Sequence, residues 1–135
     1  MKNYLDVNKW RLTGKDAKRR REKWKRQRIH RGFSDWDWWD LDYFYLNLLV
    51  SSLRHYAKNT AGFSEALAPT YKEYQARILK LADMFEELAD WEETHNPPED
   101  KEKALNWYKE NSEQLYTKTK EAFAELAEVF WSLWD

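Results

Sequence analysis

Cysteine is absent from the 135 residues of the chain, which excludes a disulfide framework and a metal site built on thiolates and fits a reducing cytoplasm. Glycine and proline occur only three times each and β-branched residues are few, a composition typical of an all-α protein. No apolar run approaches the roughly 20 residues of a membrane-spanning helix, and no signal-peptide pattern opens the chain. We therefore expect a cytoplasmic, all-α protein with no membrane partner.

The net charge of −1 hides an uneven distribution of charged residues. Thirteen of the 23 Lys and Arg residues lie within residues 1–31, together with only three of the 24 Asp and Glu residues. This asymmetry predicts a basic N-terminal arm or helix, residues 1–31, which meets a nucleic acid, an anionic ligand or an acidic surface. The acidic remainder, residues 32–135, should form one helical domain. Apolar residues early in the arm, among them Tyr4 and Trp10, predict that it packs on the body or on a second copy.

Capping patterns predict three long helices, over residues 34–58, from residue 70 to about residue 91, and from residue 97 almost to residue 135. The capping pairs are Ser34 with Asp37, Thr70 with Glu73, and Asn96 with Pro97 and Glu99. Together with the basic segment, they predict a helical bundle of three long helices with a basic N-terminal helix or arm.

Apolar residues at three- and four-residue spacing predict the buried face of each helix. For the first helix the predicted stripe is Trp38, Leu41, Tyr45, Leu48, Leu49, Leu53 and Tyr56. For the second it is Tyr71, Tyr74, Ile78, Leu81, Phe85 and Leu88. For the last it is Leu105, Tyr108, Ser112, Leu115, Thr119, Ala122, Leu126, Phe130 and Leu133, an alternation like that of a coiled coil. The closing FWSLWD segment should also be buried, in the fold or in a homo-oligomer interface.

The segment RGFSDWDWWDLDY, residues 31–43, is the first candidate for a binding site. Arg31, Ser34 and the amides of a helix start can hold an anion, and Trp rings beside them can stack on a planar base. The alternative is a well-capped core helix rich in Trp. The predicted ligand-binding residues are Arg31, Ser34, Asp35, Trp38, Trp39, Asp42, Arg54 and Arg77.

The basic arm supports a second hypothesis, in which residues 15–31 contact the phosphates of DNA or RNA and Trp24 stacks on a base. The alternative is a solvated basic helix that pairs with the acidic half of the chain. The predicted nucleic-acid-binding residues are Lys18, Arg19, Arg20, Arg21, Lys23, Trp24, Lys25, Arg26 and Arg28.

An enzyme is the least favoured hypothesis. Acidic residues spaced by three, such as Glu87 and Asp90, are compatible with a magnesium-dependent all-α nucleotide pyrophosphohydrolase. In a chain with 24 acidic residues such spacings arise by chance. The histidines, His30, His55 and His95, lack the spacing of paired metal ligands, so we expect no catalytic residue, no metal and no cofactor.

Three segments resemble a group of small phage- and prophage-encoded proteins of unassigned function. Residues 31–43 resemble that group's RG-aromatic-SD-x-D-x-W-x-LD block, and residues 130–135 resemble its terminal FF-x-LWD. Residues 59–85, with NTAGF followed by Tyr74, Ile78-Leu79 and Met84-Phe85, resemble its THGYP-plus-helix segment. Ala61 and Ser64 stand where that group has His and Pro.

The resemblance implies a viral accessory protein in the cytoplasm of a bacterial host cell, and it transfers no active site. Proteins of this kind often act against host defences. The resemblance therefore implies that this chain is not a catalyst and that it binds and sequesters a phosphate-bearing nucleotide signal. The alternatives are nucleic-acid binding through the arm and inhibition of a host enzyme through the Trp-rich surface.

Overall fold

A computed structural model describes residues 5–7 and 12–134 of the chain, and within these ranges the secondary structure is helical, with no strand. The all-α prediction is confirmed. Tyr4 and Trp10, which were predicted to pack, lie outside the described residues. The helices are α1 (Ala17–Arg31), α2 (Asp35–Trp39), α3 (Leu41–Asn59), α4 (Tyr71–Ala89), α5 (Trp91–His95) and α6 (Lys101–Val129), followed by a 3-10 turn (Phe130–Ser132).

The chain forms two compact units, residues 1–48 and residues 49–135, and passes from one to the other within α3. The first unit contains α1, α2 and the start of α3. The second contains the rest of α3 and α4 to α6. The predicted division after residue 31 stays a prediction.

In the first unit, glycine and serine set the turn between α1 and α2. Gly32 ends α1 with φ at 84°, a left-handed conformation that favours glycine, and its amide donates to the carbonyl of Arg28 at 2.9 Å. Ser34 begins α2 with the predicted capping box. Its hydroxyl accepts from the Asp37 amide at 3.2 Å, and its own amide donates to the Asp37 carboxylate at 2.7 Å.

The prediction of one continuous helix over residues 34–58 is wrong. The chain leaves helical geometry at Asp40, where φ is −132° and ψ is 61°, and α3 begins at the next residue. The predicted inward stripe is confirmed at Leu53, which is buried, but Trp38, Tyr45 and Leu48 are exposed. Apolar residues on both sides of this sequence made its periodicity ambiguous. The buried side chains of α3 are Phe44, Asn47, Val50, Leu53 and Ala57.

In the second unit, α4 supplies the centre of an apolar core. Its predicted stripe is largely confirmed, since Tyr74, Ile78, Leu81 and Phe85 are fully buried and Leu88 nearly so. Each such side chain contributes about 1.5–3 kcal/mol by leaving water. The helix starts at the predicted cap, where the Thr70 hydroxyl accepts from an amide in the first turn. It packs along α6.

The last helix starts later than predicted. Asn96 has a positive φ of 48° and ends α5, and Asp100 caps α6 by accepting from the Lys103 amide at 3.0 Å. Both residues are good caps, but Pro98 disfavours helical geometry at Pro97, so the helix starts after Asp100 and not after Asn96. The prediction that the closing segment is buried is wrong for the single chain, because Trp131 and Trp134 are 84% and 74% exposed.

Candidate functional site

The two faces of α1 have different roles in the first unit. One face is directed into the unit and carries Trp24, which is only 5% exposed. It packs on α2, where the Trp24 ring lies 5.2 Å from that of Trp36 and 6.4 Å from that of Trp39, centroid to centroid. The other face is exposed and basic. The inward contacts fix α1 in place, and the outward face is therefore displayed on an ordered helix.

A buried ion pair joins α1 to the start of α2. The Arg28 guanidinium donates from Nε to Asp37 Oδ2 at 2.8 Å and from Nη2 to Oδ1 at 2.5 Å, and from Nη1 to the Leu5 carbonyl at 2.8 Å. Asp37 is fully buried, and the Ser34 hydroxyl also donates to it at 2.8 Å. All three guanidinium nitrogens are therefore used inside the unit. Sequence reasoning missed this pair, because nine residues and a turn separate its partners.

Two of the four acidic residues in residues 31–43, Asp35 and Asp37, have lowered pKa values. Burial alone raises the pKa of Asp37, but hydrogen bonds from Arg28 and from the Ser34 amide and hydroxyl outweigh burial and lower it below its ordinary value. The pKa of Asp35 falls to about 2, first because Gln27 donates to it and then because Arg31 does. Both carboxylates are thus charged acceptors engaged within the fold.

The predicted anion site at the start of α2 is filled by the motif's own groups. Arg31 donates to Asp35 at 2.5 Å and to the Phe33 carbonyl at 2.9 Å. The Asp35 amide donates to the Gln27 side chain at 2.9 Å, and Gln27 donates back to the Asp35 carboxylate at 2.8 Å. With the Ser34 capping box, these bonds engage the cation and the amides that were expected to meet a phosphate.

Three other predicted ligand residues of the first unit are exposed. Trp38 and Trp39 leave 63% and 71% of their surfaces in solvent, and Asp42 is also exposed. They offer ring faces and a negative charge but no cation. Their role in ligand binding stays a prediction.

The remaining two predicted ligand residues, Arg54 and Arg77, belong to the second unit and have acidic partners there. Arg54 pairs with Asp83 at 3.0 Å and with Glu86. Arg77 donates to both carboxylate oxygens of Glu125, at 2.6 and 3.1 Å, and to a loop carbonyl. The hydrogen bonds that Arg77 donates to Glu125 raise the pKa of Arg77. Desolvation alone lowers the pKa of Arg54, but the hydrogen bonds that it donates to Asp83 and Glu86 outweigh desolvation and raise that pKa.

The outward face of α1 is a continuous basic surface. Arg19, Arg20, Lys23 and Arg26, at three- and four-residue spacing, line a shallow groove of about 650 Å³ together with Asp16. The Lys23 ammonium lies 3.4 Å from the Asp35 carboxylate, and Arg20 donates to a backbone carbonyl. Within the described residues, Arg19 and Arg26 have no ion-pair partner.

The structure sorts the predicted nucleic-acid residues between the two faces. Trp24 and Arg28 are directed inward, and Arg21 is half-buried, so Trp24 is not available for stacking on a base. Lys25 is half-buried beside Glu22, at 3.8 Å. The members that form the exposed basic face are Lys18, Arg19, Arg20, Lys23 and Arg26.

Acidic residues of α4 form ion pairs with Lys and Arg side chains of other helices. Glu87 pairs with Lys118 at 2.8 Å, and Asp83 and Glu86 pair with Arg54. Across residues 5–7 and 12–134, no group of three or more His, Asp or Glu side chains is arranged to hold a metal ion. The enzyme hypothesis therefore stays without a supporting site.

A cavity of about 690 Å³ in the second unit was not predicted from the sequence. It lies between the loop after α3 and the end of the chain, and Trp131 and Trp134 form part of its wall. Among the described residues that line it, Glu128 is the one charged residue and none is Lys or Arg. These lining residues therefore offer no counter-charge to a phosphate group.

In the part of the chain that is described, no helix is both long and apolar enough to cross a bilayer. Comparisons of the whole chain with protein-family models, with curated proteins and with solved structures find no match.

Proposed function

We propose that the outward face of α1 binds the phosphate backbone of a nucleic acid without reading its sequence. The observation that carries this proposal is the separation of the two faces of one helix. Arg28 and Arg31 are engaged in the fold, whereas Lys18, Arg19 and Arg26 are exposed and have no ion-pair partner among the described residues. Such a display is what backbone binding requires.

The dimensions of α1 suit this role. Arg19 and Arg26 are two turns apart, about 10 Å at 1.5 Å per residue, with Lys23 between them. Five outward cations should release up to about four counterions on duplex DNA, where each neutralised phosphate contributes about 0.9 to the salt exponent. The proposal therefore expects micromolar, strongly salt-dependent binding.

Sequence-specific recognition is not part of the proposal. Reading a base edge needs forked donors such as Arg or Gln placed against it. Gln27, Arg28 and Arg31 supply such donors on α1, but each donates within the first unit. Arg19 and Arg26 carry the same forked donors on the exposed face, but among the described residues neither has a hydrogen-bond or ion-pair partner that would orient it on a base.

The test is fluorescence anisotropy with labelled duplex and single-stranded oligonucleotides over a range of salt concentrations. The variant Arg19→Gln/Arg26→Gln should reduce the salt exponent by about 1.8 on duplex DNA. The matched control is Lys101→Gln/Lys103→Gln, which removes two exposed charges from the start of α6 and should leave binding nearly unchanged. Equal loss in both variants, or no binding by the intact chain, would contradict the proposal.

The same assay separates the other hypotheses. Sequestration of a nucleotide signal predicts heat on titration with mononucleotides or cyclic dinucleotides, and inhibition of a host enzyme predicts binding to neither kind of probe. We favour these two hypotheses less, because the cations predicted for the ligand site, Arg31, Arg54 and Arg77, already pair with acidic residues. We also propose the finer architecture, a bundle of three long helices. We further propose that the chain is a phage accessory protein in the cytoplasm of the host cell.

A further inference from the structure

The helix α6 buries very little of itself. It spans 29 residues, about 43 Å at 1.5 Å per residue, and only Ala122 and Val129 are buried. These two lie seven residues apart on the seam that packs on α4. A helix of this length with so small a buried face has apolar surface left for another partner.

That surface is a second seam beside the first. Tyr116, Phe123 and Phe130 are spaced by seven residues, and each is about half exposed or more. Residues of a second heptad series lie between them, so the spacing alternates between four and three as in a coiled coil. The members of the second seam are Leu105, Lys109, Ser112, Tyr116, Thr119, Phe123, Leu126 and Phe130. The Phe123 ring also contacts the Phe85 ring of α4, with 5.2 Å between centroids, and is otherwise about half exposed.

We infer that the second seam binds the same seam of a second copy, with the two α6 helices antiparallel. The aromatic residues and Lys109 form one line of the seam, and Leu105, Ser112, Thr119 and Leu126 form the other. An antiparallel pair sets each line against the other, so that every aromatic ring meets a smaller residue. A parallel pair would set ring on ring and hydroxyl on hydroxyl. This inference is independent of the proposed function of α1.

Charges beside the seam select one register. Glu113 and Lys120 are exposed on its solvent side, seven residues apart. With the twofold axis between residues 117 and 118, Glu113 of each copy lies beside Lys120 of the other, twice per dimer. If one helix is displaced by one heptad relative to the other, the two copies of Glu113 lie side by side, or, for the opposite displacement, the two copies of Lys120 do. Either arrangement places like charges together and is unfavourable. The register with opposite charges paired is therefore the one that we assign.

The first test is the mass of the protein in solution by sedimentation and light scattering. The intact chain should be a dimer at micromolar concentration. Tyr116→Glu should raise the dissociation constant about a hundredfold, because two carboxylates would be buried across the seam. Tyr116 is 67% exposed in the single chain, and circular dichroism should show its helix content unchanged. The matched control is Tyr45→Glu, the same change at an exposed aromatic residue of α3, which should leave the dimer intact.

The register has its own test. Glu113→Lys and Lys120→Glu should each weaken the dimer, and the double exchange should restore it. Since the chain contains no cysteine, single cysteines report distance cleanly. Thr119→Cys should cross-link to itself with a short bis-maleimide, because its two copies are offset by about 4.5 Å along the axis. Ser112→Cys should not, because its copies are about 16 Å apart.

Each opposite result overturns the inference. A monomeric intact chain removes it altogether. A dimer that tolerates Tyr116→Glu, or that is lost equally in Tyr45→Glu, places the interface elsewhere. Cross-linking of Ser112→Cys to itself shows a parallel pair or a different antiparallel register, and either contradicts the arrangement that we assign.

Discussion

The two units of the molecule each contain a forked Arg–carboxylate pair, and the two pairs differ in burial. In the first unit, the side chains of Arg28 and Asp37 are 16% and 0% exposed. In the second unit, those of Arg77 and Glu125 are 29% and 28% exposed. Both pairs form two hydrogen bonds between the same chemical groups. The same type of Arg–carboxylate pair is therefore buried in the first unit and partly exposed to solvent in the second.

The surroundings explain the difference. The buried centre of the first unit includes Ser34 and Asp37 beside Trp24, so polar groups stand where apolar side chains usually do. The second unit has Ile78, Leu81 and Phe85 at its centre, and its ion pairs lie around them. We therefore expect the first unit to depend on charge and hydrogen bonding, and the second on apolar burial.

The largest expected effect is that of Asp37→Ala in the first unit. It should lower the free energy of unfolding of that unit by about 3–5 kcal/mol, because it leaves the Arg28 guanidinium buried without its counter-charge. The measurement is urea denaturation followed by the indole N–H resonances of Trp36 and Trp91, which report the two units separately. The double variant Arg28→Met/Asp37→Leu should lose less than the single variant. An equal loss in both would show that the pair acts through something other than burial of charge.

Acid should have the next largest effect, again on the first unit. The pKa of Asp37 is lowered in the folded state, and that of Asp35 is lowered to about 2. A lowered folded pKa gives stability that is complete above the unfolded value of about 4 and is lost as the pH falls through the folded value. The Trp36 resonance should therefore report loss of stability between about pH 4 and pH 2.

The control for the acid transition is Asp35→Asn, which should make the stability of the first unit less dependent on pH across that window. A first unit whose stability is constant from pH 5 to pH 2 would refute the electrostatic account of its core.

The smallest effect is expected for Glu125→Ala in the second unit. Its partner Arg77 stays partly in water and keeps a hydrogen bond to the Leu67 carbonyl at 2.9 Å. The free energy of unfolding, read from Trp91, should fall by about 1 kcal/mol or less. A loss as large as that of Asp37→Ala would remove the distinction between the two pairs.

Local patterns were sufficient for two of the three predicted helix starts. The Ser34 and Thr70 caps each depend on a few adjacent residues, and the structure has both. The buried stripe of α4 was equally predictable, because its apolar residues follow one period without competition.

Features that depend on distant partners were not predictable. The break at Asp40 has no proline or glycine to mark it, and the apolar residues around it fit two different inward faces. Arg28, Arg31 and Asp35 looked like site residues because sequence shows charge but does not show its partner. The structure shows each of them paired within the first unit. The same limit applies to Arg54 and Arg77, which have partners on other helices.

The separation of the two faces of α1 has a consequence for how this chain can be altered. Substitutions at Trp24 or Arg28 would destabilise the folded first unit, whatever the helix binds. Substitutions at Lys18, Arg19 or Arg26 meet no such barrier, because these side chains contribute little to packing. An engineer could therefore rewrite the outward positions as a set, even to carboxylates, and obtain separation-of-function alleles on an intact scaffold.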